Sequence, residues 1–206
     1  MNKQEAAIEL FDAYNKQDPR IFIWEGNSYQ QEYFFAVKLY DWVLKLDPDA
    51  NEELLLASRS QHIGRWEIPR DSYPEGREHY LKWRKTLALH HAHFSSVLMK
   101  EAGYSDEKIG RVKQIVLKQR IKVDADVQTI ENALCLVFLE FQYEEFCKKH
   151  AHDPDKIINI LRKSLLKMDA HGHDFALKLT YSDIGLHLIK TALAEIHNRL
   201  IIPKQW

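Results

Sequence analysis

Apolar residues recur at three- and four-residue spacings along most of this 206-residue chain, the period of helices that bury one face. The pattern predicts helices over about 3–16, 28–46, 51–66, 77–101, 105–119, 126–148, 153–169 and 182–199. The run from Tyr33 to Leu44 keeps that period until Asp47-Pro48 stops it, because a residue preceding proline avoids the helical region. Ser105-Asp106-Glu107 reads as a cap with acids in the first turn, followed by an Ile109, Val112, Val116 stripe. Asp153-Pro154-Asp155 starts another helix, with proline where a missing N–H costs little. Ala133 to Leu139 is apolar on almost every side, which predicts a central, buried helix. The long irregular stretch, Glu67 to Gly76, holds Pro69 and Pro74. Loops of that length inside a helical bundle are more often functional than idle.

The expected fold is therefore all-α, a bundle of about eight helices forming one domain over 1–206. Glycine (7) and proline (6) are scarce enough to favour helices with short connections over many strands. A formal charge of -1 argues against broad electrostatic capture of nucleic acid or an anionic membrane. Cys135 and Cys147 fall on one predicted helix, roughly 18 Å apart at the helical rise and beyond disulfide reach. With no apolar signal core at Met1–Ala7 and no long uncharged apolar run, the expected location is cytoplasmic and the partners exclude a membrane.

Helical spacing places candidate chemistry on inward faces. His91 shares a stripe with Tyr80, Leu87, Phe94 and Leu98, His62 lies beside Leu55 and Trp66, and Glu131 goes with Leu134 and Phe138. A buried polar group needs a partner. Two readings satisfy that need: hydrogen bonds to backbone carbonyls, or a shared metal, for which imidazole and carboxylate suit zinc, manganese, iron or nickel. Arg65, Arg70, Arg77 and Arg84 flank the same region. Their forked guanidinium groups suit a phosphate, and equally Glu67, Asp71, Glu75 and Glu78 stand ready to pair with them. His150, His152, His171 and His173 read as surface residues near helix ends.

The run His62, Arg65-Trp66-Glu67-Ile68-Pro69-Arg70, Tyr73-Pro74, Gly76-Arg77, Tyr80, Trp83-Arg84, His91-Ala92, Asp126, Gln128-Thr129, Glu131 and Cys135 to Glu140 resembles the domain-of-unknown-function 4202 family. The resemblance covers about 5–170 and leaves 171–206 as a C-terminal helical extension. It implies an all-helical fold related to the HD-type metal-dependent phosphohydrolases, with a polar pocket between helices 51–66, 77–101 and 126–148. Carried onto this chain, it implies His62, His91 and Glu131 as metal ligands and Glu131 or Asp126 as catalytic base, and the flanking Arg65, Arg70, Arg77 and Arg84 are then the expected substrate-binding groups. The chain departs from the HD pattern where Ala92 follows His91 and Asn132 follows Glu131.

The function these residues imply is metal-dependent hydrolysis of a small phosphorylated metabolite or nucleotide. Nucleic acid itself is not an expected partner. An HD-type iron oxygenase would call for further ligands. A non-catalytic helical binding protein with hydrogen-bonded histidines is the reading from another class.

Overall fold

The computed structural model describes residues 2–201, with side chains as far as His197. Its described residues form ten α-helices: α1 (Lys3–Asn15), α2 (Gln31–Leu46), α3 (Glu52–Ser60), α4 (Arg77–Glu101), α5 (Asp106–Val116), α6 (Ala125–Phe141), α7 (Tyr143–Lys149), α8 (Pro154–Leu165), α9 (Ala170–Ala176) and α10 (Asp183–Ile201). A two-stranded antiparallel hairpin, β1 (Ile21–Trp24) and β2 (Asn27–Gln30), lies between α1 and α2. The mostly helical expectation holds, with this small sheet added. No described helix is long and apolar enough to cross a membrane.

The chain divides into two compact units, Met1–Ile130 and Glu131–Trp206. In the first, α3 is the hub and packs on α1, α2, α4 and α5. Asn51 caps it by accepting the Leu54 N–H at 2.8 Å, and Leu54, Leu56 and Ala57 are buried. Full burial of a leucine is worth about 1.5–3 kcal/mol. Arg59 reaches from α3 to α1 and donates twice to the Asp12 carboxylate, at 2.6 and 2.7 Å.

The predicted 28–46 helix begins only at Gln31 because the residues before it form the hairpin. Glu25 and Gly26 make its two-residue loop with left-handed φ of 49° and 77°, the conformation that two-residue hairpins demand. Phe22 then packs on Phe34 and Phe35, both with ring centroids 4.8 Å away.

In the second unit α10 packs on α8 and α7. Ile157, Leu161 and Leu165 recur every four residues along α8 and are all buried. Tyr143 donates its hydroxyl to the Gly185 carbonyl at 2.9 Å. The predicted 126–148 helix is broken at Gln142, whose φ of -130° leaves the helical region, so Cys135 and Cys147 lie on separate helices. The predicted 153–169 helix stops at Leu165. Asp169 then caps α9, a helix the periodicity did not predict, through Gly172 N–H at 2.9 Å. The C-terminal extension accordingly carries α9 and α10, and its last residues, 202–206, lie outside the described residues.

Candidate functional site

The predicted 51–66 helix ends at Ser60, so His62 sits on a turn and not on a helix face. Three successive short bonds build that turn: Ile63 N–H to Ser60 O, Arg65 N–H to His62 O and Glu67 N–H to Gly64 O, each 3.1 Å. Gly64 takes a φ of 68°, a left-handed value that disfavours side chains. A Cβ there would also stand 2.7 Å from His90 Nε2. Around the turn, Tyr14 donates to Glu67 Oε1 at 2.5 Å, and His90 Nε2 lies 3.2 Å from Gly64 O and 3.3 Å from Glu67 Oε2.

The periodicity of α4 places His91 correctly on the buried face, where it is 3% exposed. Its Nδ1 is 2.6 Å from the Ile63 carbonyl. A carbonyl only accepts, so Nδ1 carries the proton and Nε2 presents its lone pair. That Nε2 is buried and has no hydrogen-bond partner among the described residues. The His62 ring is its neighbour, with centroids 5.7 Å apart. Burial lowers the His91 pKa to about 3, assisted by Arg65, His90 and Lys118 and opposed by the Ile63 bond. His62, partly open to solvent, is also held well below the usual histidine range, by desolvation first and then by Arg65, His91, Lys118 and Arg84. Both rings are neutral at physiological pH.

The charges that lower the pKa values of this pair most are cationic. Arg65 Nε is 3.9 Å from Glu32 Oε1, but that carboxylate is already held by Arg20 Nη2 at 2.7 Å. Glu32 is itself 3% exposed, and burial raises its pKa against the pull of Arg65 and Arg20. Lys118 follows α5 in a left-handed conformation, φ 54°. Its N–H bonds Ile115 O at 2.8 Å and the Gln119 N–H bonds Gln114 O at 3.0 Å, the helix-ending arrangement that normally uses glycine. A lysine there carries backbone strain, the kind found at functional positions.

The other predicted residues distribute differently. Arg84 is exposed and donates to the Tyr80 hydroxyl at 3.2 Å, while Arg70 donates to the Tyr73 and Pro74 carbonyls at 2.9 and 3.1 Å. Arg77 is exposed at the start of α4, and so is Tyr80, which the stripe had placed inward. Asp126 is occupied by Arg111 Nη2 at 2.5 Å and Asn51 Nδ2 at 3.0 Å. Glu131 is 2% exposed, belongs to the second unit, and lies 3.3 Å from Lys167 Nζ. Among the described residues no group of three His, Cys, Asp or Glu could hold a metal ion. Within the first unit the two imidazoles fall one short of the three protein ligands of a catalytic zinc site, and the cations that act on them oppose a dication. Within the first unit, therefore, the described residues do not fit a resident metal.

The family model described as domain of unknown function (DUF4202) matches residues 5–189. The chain belongs to this family. No curated protein matches the chain, and neither does any solved structure. In this DUF4202 member, sequence reasoning missed Glu32, His90 and Tyr14 as neighbours of the site and left Lys118 unplaced. A signal existed for two of them. An acid within the aromatic helix start Gln30 to Phe35 needs a cation, and Lys118 ends an apolar stripe where glycine is absent. His90 and Tyr14 carried none, because only the packing of α1 and α4 brings them to Gly64.

Proposed function

We propose that this chain recognises the phosphoryl group of a small phosphorylated metabolite or nucleotide at the His62–His91 pair and hydrolyses it, as an HD-like phosphohydrolase. The supporting observation is one ring: His91 is anchored through Nδ1 to Ile63, its Nε2 is buried without a partner among the described residues, His62 is its neighbour, and the charges of Arg65 and Lys118 act on both rings. Neutral imidazoles amid cations favour an anion, and guanidinium groups fork onto phosphate oxygens. A bound phosphoryl group adds negative charge and raises the basicity of both rings. His91 Nε2 then takes the proton of a water whose oxygen attacks phosphorus, and the ester P–O bond breaks with its electron pair going to the leaving oxygen. That oxygen takes the proton back from His91, and Arg65 offsets the developing charge. Asp126, engaged by Arg111, is not needed as the base.

The test is a screen of phosphomonoesters, phosphodiesters and nucleotides, each without metal and with added zinc, manganese, iron or nickel. His91→Asn and Glu131→Gln variants run alongside. Turnover lost in His91→Asn supports the reading; no turnover under any metal removes hydrolysis. A second reading, a non-catalytic phosphate-binding protein, is favoured by the shortage of metal ligands. Binding without turnover would select it.

A further inference from the structure

The sequence leaves two fates open for the arginines around the 67–76 loop: neutralisation by Glu67, Asp71, Glu75 and Glu78, or capture of an anion. The acids are not used for it. Glu67 pairs with Tyr14 and His90. Among the described residues Arg70 and Arg84 form no ion pair, and their polar contacts are to carbonyl and hydroxyl oxygens. The guanidinium groups instead stack in a chain over two rings. Arg65 lies 5.6 Å and Arg70 6.0 Å from the Trp83 centroid, and Arg70 and Arg84 each lie 5.9 Å from that of Tyr80. The two rings are themselves 5.8 Å apart, and Trp83 is fixed by its Nε1–H bond to Ile68 O at 2.9 Å.

Stacking on a ring face leaves guanidinium N–H groups able to fork onto oxygens. Arg84 uses only Nη1, on the Tyr80 hydroxyl, while Arg70 has Nη1 and Nη2 on the Tyr73 and Pro74 carbonyls and keeps its Nε–H. Stacking does not remove the mutual repulsion of like charges, and Arg84 lowers the pKa of Arg65 as well as that of His62. On the phosphoryl-recognition reading Arg65 lies at the phosphoryl group held by the histidines. Arg84 and Arg70 extend the positive charge beyond it.

Resting on the phosphoryl-recognition reading above, we infer that Arg84 and Arg70, over Tyr80 and Trp83, hold a second phosphoryl group of the same ligand, so that the ligand is a diphosphate. A second, linked phosphoryl group gives the cations beyond Arg65 an anion to hold; a single phosphoryl group at the histidines does not.

Calorimetric titration of the full chain with inorganic pyrophosphate and with orthophosphate, at one ionic strength, tests this. Pyrophosphate is expected to bind at least about tenfold tighter, a difference of about 1.4 kcal/mol. Arg84→Ala, at an exposed position and checked for an unchanged melting temperature, is expected to weaken pyrophosphate at least about threefold more than orthophosphate. Equal affinity for the two anions, or equal weakening by Arg84→Ala, overturns the inference while leaving phosphoryl recognition standing. If neither anion binds, both fall.

Discussion

The imidazole of His91 hangs from the carbonyl of Ile63 across 2.6 Å, so a residue of the long helix α4 is aimed by the turn that also carries His62. The bond does three things at once. It satisfies a buried carbonyl, it sets the tautomer, and it leaves the Nε2 lone pair open.

Replacing that ring exposes its structural share. His91→Ala leaves the Ile63 carbonyl without its donor and opens a cavity, and should lower the unfolding free energy by about 2–4 kcal/mol. Urea denaturation of the variant against wild type measures it. A loss below about 0.5 kcal/mol would mean that the anchor contributes little.

Acid should weaken the protein through the same histidines. Their folded pKa values lie below the ordinary 6.5, at about 3 for His91. Below pH 6.5 the unfolded chain therefore binds more protons than the native one, and stability falls as pH falls toward the folded value. Each histidine contributes a slope of up to about 1.4 kcal/mol per pH unit. Urea midpoints at pH 7.5, 6 and 5 should decline, and His91→Asn should decline less steeply. Parallel declines would place the effect elsewhere.

Gly64 tolerates no side chain. Gly64→Ala combines a left-handed φ of 68° with a Cβ 2.7 Å from His90 Nε2, and the left-handed conformation alone costs about 1–2 kcal/mol. A thermal melt should show a lower Tm. Phosphate titration should show weaker binding, because Gly64 lies between His62 and Arg65. A variant that keeps both would show that the turn shifts freely.

Asp126 separates a structural role from a chemical one. Removing its carboxylate in Asp126→Ala deprives Arg111 and Asn51 of an acceptor and should cost about 1–3 kcal/mol, with orthophosphate affinity kept within about twofold. If the variant is as stable as wild type but loses turnover, the base belongs on Asp126 after all.

The Asp12–Arg59 pair should prove a strong tertiary contact. Both side chains are largely removed from solvent, at 16% and 11% exposure, so Arg59→Ala strands a carboxylate and should cost about 3–5 kcal/mol. Denaturant unfolding measures the loss, and a change inside about 1 kcal/mol would class the pair with exposed ones.

Local rules decided much of this protein. The 3.6-residue period located α4 at 77–101 and put Leu87 and His91 on its buried face. Caps at Ser105 and Asp153 and the proline at 154 started α5 and α8 where expected. These features depend on residues within a few positions of one another, so the sequence carries them by itself. Tertiary structure decided the rest. His62 left the predicted helix because a left-handed Gly64, enclosed by His90, turns the chain. The fate of each charge was likewise non-local: Asp126 went to Arg111, while Arg70 and Arg84 went to rings and carbonyls and left the nearby acids unused. Helical periodicity says which face a residue occupies. Which opposite charge or buried carbonyl comes within about 3 Å of it depends on the packing of distant segments, and that packing makes the His62–His91 pair cationic in its surroundings.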